Sequence, residues 1–167
     1  MAELTQKERL QPSLLDRLTD DAPNNEHESR ENRVLSLTRL RQCVLRDMAW
    51  LLNTGALDAH QNLEDFPFVS HSVLNYGIPD WAGRNLSGAD VLEIERRIRQ
   101  AILDFEPRIL RDTLKVKVSA VEDQMNHNAM TFNIEGDLWA QPLPLRLYLK
   151  TELDLDTGNI AILDRGS

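Results

Sequence analysis

The sequence LPLRLYLKTELDLDTGNIAIL, residues 143–163, decides the fold class of this chain. Leucine takes every second position at its start, in the alternation typical of a half-buried β-strand: Leu143, Leu145, Leu147 and Leu149. The turn-forming residues Asp-Thr-Gly-Asn at 156–159 then precede a short apolar run at 160–163. Because two extended segments joined by a tight turn pair antiparallel, the pattern predicts a C-terminal β-hairpin.

Two more strands are predicted upstream of this hairpin. Apolar residues alternate with polar ones first at Leu114, Val116, Val118 and Ala120, and again at Met130, Phe132, Ile134 and Leu138. The sheet is therefore expected to have three to four strands.

Two segments before residue 107 have the apolar period of a helix. In 34–53 one helix face is formed by Leu37, Leu40, Val44, Met48 and Leu51. A second stripe follows the N-cap candidate Ser87 and consists of Val91, Ile94, Ile98, either Ala101 or Ile102, and Phe105. Pro107 ends that helix, because a residue before proline is driven out of the α region. The stretch 56–86 between the helices has no period and is interpreted as a long surface connection.

Helices first and strands afterwards predict an α+β fold, with two long helices packed on a mostly antiparallel sheet that ends in a hairpin. We expect a single domain over 34–163 and a tail at 164–167. Residues 1–33 are interpreted as a docking segment followed by a flexible linker, since Ala22 is the only apolar residue in 20–33. The docking segment owes its name to an isolated apolar island: Leu14, Leu15 and Leu18.

Composition argues against several function classes. The formal net charge of −8 in 167 residues disfavours a nucleic-acid partner. Cys43 is the only cysteine, which suits a reducing compartment, and no apolar run is long enough to span a bilayer, so we expect a cytoplasmic protein without membrane insertion. The histidines are scattered and no phosphate-binding motif is present, so neither a metal site nor a cofactor is predicted.

The sequence Glu106-Pro107-Arg108 forms a rigid corner between the second helix and the sheet. One interpretation is a muramidase in which Glu106 is the general acid, helped by Asp104 or Asp112. Arg108 argues against it, because a neighbouring guanidinium favours the ionised carboxylate. We therefore favour an ion pair that binds a partner, in a protein that is not an enzyme. Arg46 and Asp47 form a second charged pair on the first helix.

Four segments, in this order, resemble the TssE family of the bacterial type VI secretion system, which belongs with the phage baseplate wedge proteins once labelled tail lysozymes. They are RDMAWLLNT at 46–54, SVLNYGIPDWAG at 72–83, FEPRIL at 105–110 and TELDLDTGNIAI at 151–162. The resemblance extends from Pro12 to Leu163. Two departures are Gly55, where the family commonly has arginine, and Trp81-Ala82, where it commonly has Leu-Ser.

The resemblance implies a structural subunit of a cytoplasmic baseplate at the membrane. Its implied partners are the wedge subunits TssF and TssG, the subunit TssK, and the sheath proteins TssB and TssC, whose polymerisation it would initiate. The partner-binding residues are then expected to be Glu106, Pro107 and Arg108 at the corner, Arg46, Asp47, Leu51, Leu52 and Asn53 on the first helix, and Leu14, Leu15 and Leu18 in the docking segment. The last strand, with Ile160, Ala161 and Ile162, is expected to leave an open sheet edge to which a sheath strand adds.

Overall fold

The computed structural model describes residues 13–19, 37–81, 88–120, 129–139 and 144–164. The predicted linker and the last three residues of the predicted tail lie outside these ranges. Within them, no helix combines the length and the apolar character that crossing a bilayer requires.

Four helices and four strands form the described part of the chain. The helices are α1 (Leu14–Leu18), α2 (Leu37–Leu52), α3 (Pro67–Ser70) and α4 (Gly88–Phe105), with single 3₁₀ turns at Leu57–Ala59 and Val73–Asn75. The strands are β1 (Lys115–Ala120), β2 (Ala129–Leu138), β3 (Leu145–Asp154) and β4 (Ile160–Asp164). Both long helices and three of the strands coincide with the predicted segments to within a few residues at each end. The exception is β3, which continues to Asp154, beyond the predicted alternation.

The strands form one antiparallel sheet in the order β1-β2-β3-β4. One row across it joins Val118, Phe132, Thr151 and Ile162 as successive register partners. Gly158, with φ of 74°, takes the left-handed conformation in the turn between β3 and β4. The predicted α+β fold with a C-terminal hairpin is confirmed.

One face of the sheet packs against α2 and α4. The apolar stripes of both helices supply its covering layer, and the side chains at the centre are completely buried: Val44, Met48, Ile98, Phe132 and Leu149. Burial of this apolar layer is the main favourable contribution to folding. The helical period of about 3.6 residues and the strand period of about 2 residues therefore mark the two layers of one core.

The connection from α2 to α4 is more ordered than its sequence predicts. Gly77 has φ of 127°, and a Cβ there would lie 2.3 Å from the carbonyl oxygen of Thr54. Only glycine permits this close approach, which lets Ile78 N–H bond the Thr54 carbonyl at 2.9 Å. Ile78 and Trp81 are buried in the core, so the connection is in part a core element and not simply a surface loop.

Candidate functional site

The corner after α4 is fixed by its backbone. Glu106 N–H still donates to the Ile102 carbonyl at 2.9 Å, as in a helix, and Pro107 then ends the helical ladder. Past the corner, Trp139 N–H donates to the Arg108 carbonyl at 2.7 Å, which ties the corner to the end of β2. The Glu-Pro-Arg sequence thus lies at a rigid junction of helix and sheet.

Glu106 and Arg108 form a forked ion pair. Glu106 Oε1 accepts hydrogen bonds from Arg108 Nε at 2.6 Å and from the Arg108 backbone N–H at 3.1 Å, and Oε2 accepts from Arg108 Nη2. Glu106 is only 3% exposed. At the corner the carboxylate is therefore buried, Pro107 is exposed and Arg108 is half-buried.

Asp47 links this pair to α2. Arg108 Nη2 also donates to Asp47 Oδ2, and Asp47 Oδ1 accepts from Arg46 Nε and Nη2 at 2.9 and 2.8 Å. The guanidinium of Arg46 lies 5.1 Å over the ring of Trp50, within the range of a cation–π contact. The two charged pairs that the sequence places 60 positions apart are therefore one network.

Helix α1 adds a third carboxylate. Asp16 Oδ1 accepts from Arg46 Nη1 at 2.7 Å, and Asp16 Oδ2 accepts from the Ser13 hydroxyl at 2.6 Å. The Asp16 side chain is only 5% exposed, whereas Leu14, Leu15 and Leu18 are exposed. The docking segment thus contacts its own domain through a polar side chain and leaves its leucines facing outward.

Hydrogen bonds and neighbouring negative charges raise the pKa values of both arginines in the network. Burial disfavours the charge of Arg108, but the hydrogen bonds and negative charges of Glu106 and Asp47 outweigh it and raise the Arg108 pKa above its usual value. The hydrogen bond to Asp16 likewise raises the pKa of Arg46. Arg108 Nη1 is buried and has no hydrogen-bond partner among the described residues.

A groove of about 510 Å³ runs beside this network. Its lining combines apolar side chains with the charged ones and includes Leu15, Trp50, Phe105 and Pro107. It therefore offers an incoming chain both apolar contact and ion pairing, and α1 borders it.

The family model of baseplate wedge protein gp25 matches residues 38–143. The chain belongs to this baseplate wedge family. Among curated proteins no significant relative matches it. The crystal structure of a Geobacter sulfurreducens protein described as a tail lysozyme is similar to this one. The match covers 80% of this chain and 100% of that protein, with 14% sequence identity and a TM-score of 0.47.

Baseplate wedge proteins of this family are structural, and the geometry at Glu106 agrees with a structural part. Both of its carboxylate oxygens accept hydrogen bonds from Arg108, whereas a general acid must present a proton to a substrate. Asp104, the suggested second carboxylate, contacts His71 Nδ1 at 2.9 Å and accepts from Gln100 Nε2. Among the described residues, no group of His, Cys, Asp or Glu is placed to hold a metal ion.

The other residues that the sequence analysis singled out differ in how deeply they are buried. Leu51 and Leu52 are each 1% exposed and belong to the core, and Leu51 also lies in the groove lining, so the structure gives them a packing role. They were predicted from a family segment in which apolar core residues and surface residues alternate. Gly55 lies in open space, where an added Cβ meets no atom within 4 Å, so the backbone would accept the arginine common in the family.

The predicted open edge at β4 is partly closed. Ile160 is buried, and its backbone N–H and carbonyl both bond the Asn53 side chain, while Ala161 is exposed and Ile162 half-buried. Among the described residues, the edge of β4 has such a cap at Ile160 and not beyond it.

Sequence reasoning missed Asp16 and Trp50 as parts of the site. A signal for Asp16 was present, because Ser13 and Asp16 have the spacing of a helix capping motif, and Ser13 Oγ does accept from Asp16 N–H. Nothing in the sequence indicated that this carboxylate would bond Arg46, 30 residues away.

Proposed function

We propose that this chain is the TssE-type subunit of a type VI secretion baseplate, where it binds the wedge subunits and initiates sheath polymerisation. The observation that carries the proposal is the ion network that joins α1, α2 and the Glu-Pro-Arg corner beside an apolar groove, in a chain of the baseplate wedge family. Its proposed neighbours are TssF, TssG and TssK, and its place is the cytoplasmic side of the membrane.

The corner is already ordered before a partner binds. Arg108 is held by Glu106 and Asp47, so the exposed Pro107 beside it lies on a fixed backbone and loses little conformational entropy on binding. Arg46 and Asp47 extend the same charged surface along α2. Leu15 of α1, which is exposed and lines the groove, adds apolar area to it.

Sheath initiation is assigned to β4. Its outer edge beyond Ile160 has backbone groups available to a strand of another chain, and an added strand would continue the sheet order past β4. In this proposal a TssB or TssC strand is the first to add, and each later sheath subunit repeats the step.

The assignment is tested in cells of the native host by imaging a fluorescent sheath. Deleting the gene should abolish sheaths, wild-type protein should restore them, and Arg108→Gln should not even where circular dichroism shows that the variant is folded. The matched control is Arg96→Gln, because Arg96 is an exposed arginine paired with Glu93 on α4, away from the corner. Normal sheaths in the deletion strain would overturn the assignment.

The enzymatic alternative is tested on the purified wild-type chain. In our proposal the protein is not a muramidase, so peptidoglycan should release no soluble fragments in its presence. Release by wild type that Glu106→Gln abolishes would replace the structural assignment by a catalytic one.

A further inference from the structure

Four large apolar side chains are exposed together in the connection between α2 and α4. They are Phe66, Phe68, Val73 and Leu74, which we call the 66–74 patch. Phe68 is 92% exposed and Leu74 is 68% exposed. Phe66 directly precedes α3, Phe68 lies in α3, and Val73 and Leu74 lie in the 3₁₀ turn Val73–Asn75, which packs against α3. Exposed apolar clusters of this kind mark interaction sites more often than isolated apolar residues do.

Hydrogen bonds hold the backbone of the two turns that carry the patch. Asn75 is buried, and its side chain accepts from Asp58 N–H and donates to the Ser70 carbonyl, both at 2.9 Å. Ser72 Oγ accepts from Leu74 N–H at 3.2 Å and donates to the Val69 carbonyl at 2.9 Å. These bonds fix the turn that carries Val73 and Leu74 relative to the one that carries Phe68.

The segment is also anchored to the rest of the domain. His71 Nδ1 lies 2.9 Å from Asp104 Oδ2 on α4, and the ring of Tyr76 packs edge-on against Phe105 with centroids 5.2 Å apart. A surface fixed in this way loses little conformational entropy when a partner binds, so it is preorganised for docking.

The charge of the segment indicates what kind of surface would cover it. Residues 56–81 contain no lysine and no arginine, but four acidic residues: Asp58, Glu64, Asp65 and Asp80. Asp58 is paired with Arg97 of α4, whereas Glu64 and Asp65 are exposed beside Phe66. The patch is therefore apolar with an acidic border.

We propose that the 66–74 patch docks an apolar surface bordered by lysine or arginine on another subunit of the baseplate. This rests on the proposed function, which it deepens by adding an interface separate from the Glu-Pro-Arg corner. A second copy of this chain would bring the same acidic border against it, and an anionic lipid surface would repel it, so the charge favours a basic protein partner over both.

The first test compares binding to reconstituted wedge complex. The double variant Phe68→Ser/Leu74→Ser should bind at least tenfold more weakly than wild type, while its melting temperature is unchanged because both side chains are exposed. Leu92→Ser is the matched control, since Leu92 is also 68% exposed but lies on α4 outside the patch. Binding of the double variant equal to that of Leu92→Ser would overturn the patch as an interface and leave the proposed function standing.

The second test does not depend on that assembly. A photo-reactive phenylalanine analogue at position 68 is cross-linked in native cells, with position 92 as control, and the joined peptide is sequenced. A peptide of another baseplate subunit, with apolar residues flanked by lysine or arginine, supports the inference, whereas a peptide of a protein outside the baseplate overturns it. Cross-links to a second copy, to lipid, or to nothing above the control overturn it.

Discussion

The side-chain amide of Asn53 bonds both backbone polar groups of Ile160. Its Nδ2 donates to the Ile160 carbonyl, and the Ile160 N–H donates to its Oδ1, each at 2.9 Å. The same Nδ2 also donates to the Ala49 carbonyl at 2.8 Å, so one residue ends α2 and caps the edge of β4.

This contact settles which backbone groups of β4 face outward. In an antiparallel pair, successive residues turn their N–H and C=O groups alternately toward and away from the partner strand. Since the Ile160 groups point to Asn53 and away from β3, those of Ala161 point toward its register partner Glu152, and those of Ile162 point outward.

Replacing Asn53 by alanine should lower the free energy of unfolding by about 1–2 kcal/mol, because the two bonds to Ile160 are lost and each contributes about 1 kcal/mol net. Urea denaturation measures this. Thr54→Ala is the control, since the Thr54 hydroxyl bonds only the Trp50 carbonyl of its own helix. Equal stability of the two variants would show that the cap contributes nothing.

Ile162→Pro is the substitution that tests strand addition. It removes an outward N–H from an edge strand, where proline is tolerated, so the domain should fold while sheath assembly in cells fails. Ile162→Ala controls for the lost side-chain packing and should keep sheaths. Normal sheaths with a folded Ile162→Pro protein would contradict addition at this edge.

Ala161→Pro should behave differently from Ile162→Pro. The Ala161 N–H faces β3, so proline there breaks a bond of the β3–β4 ladder and should lower the melting temperature markedly. A melting temperature of Ala161→Pro at or above that of Ile162→Pro would mean that the alternation is assigned the wrong way round.

The sequence predicted the fold well because both layers have one-sided burial. The stripe from Leu40 to Leu51 and the alternation from Leu145 to Leu149 each repeat a local period, and local periods are visible in a single sequence. The turn at Gly158 was visible because asparagine and glycine tolerate the left-handed backbone conformation that tight turns require.

The site was predicted less completely because its contacts are long-range. Glu106 and Arg108 are only two residues apart in sequence, so their pairing could be inferred, but Asp47 reaches Arg108 across 61 positions and Asn53 reaches Ile160 across 107. Leu51 and Asn53 stand two residues apart in one motif, yet one is buried and the other exposed. Only the orientation of α2 on the sheet separates their roles.

Substituting the two partners of the corner ion pair, Arg108 and Glu106, should lower the free energy of unfolding by different amounts. Arg108→Gln leaves Glu106 buried without its counter-charge and should cost about 3–5 kcal/mol of unfolding free energy. Glu106→Gln keeps the shape and leaves Arg108 paired with Asp47, so it should cost about 1–3 kcal/mol, the range of one charged hydrogen bond. Chemical denaturation of both variants checks the order, and a larger loss for Glu106→Gln would contradict it.

Removing residues 1–19 should cost less than about 1 kcal/mol of stability. Truncation removes Asp16 together with its charge and leaves Arg46, whose side chain is 34% exposed, paired with Asp47, so no buried charge is left without a partner. The leucines of α1 are 46% to 74% exposed, so little apolar burial is lost. Thermal melting of the truncated chain measures this, and a fall of many degrees would show that α1 belongs to the core.

The contact between α1 and α2 should weaken in acid because of Asp16. Burial alone would raise the pKa of its carboxyl, but hydrogen bonds from Ser13 and Arg46 outweigh it and lower the pKa below its usual value of 3.8. A group with a depressed pKa in the folded state binds fewer protons there, so its contribution is complete above pH 3.8 and is lost as the pH falls through the lower, folded value. The backbone amide signals of α1 in an NMR titration should therefore hold their docked positions at pH 5 and shift toward those of a free segment below pH 3.8. In Asp16→Asn, which has no charge to lose, the same signals should lack this transition. An identical transition in the variant would mean that another carboxylate controls the docking of α1.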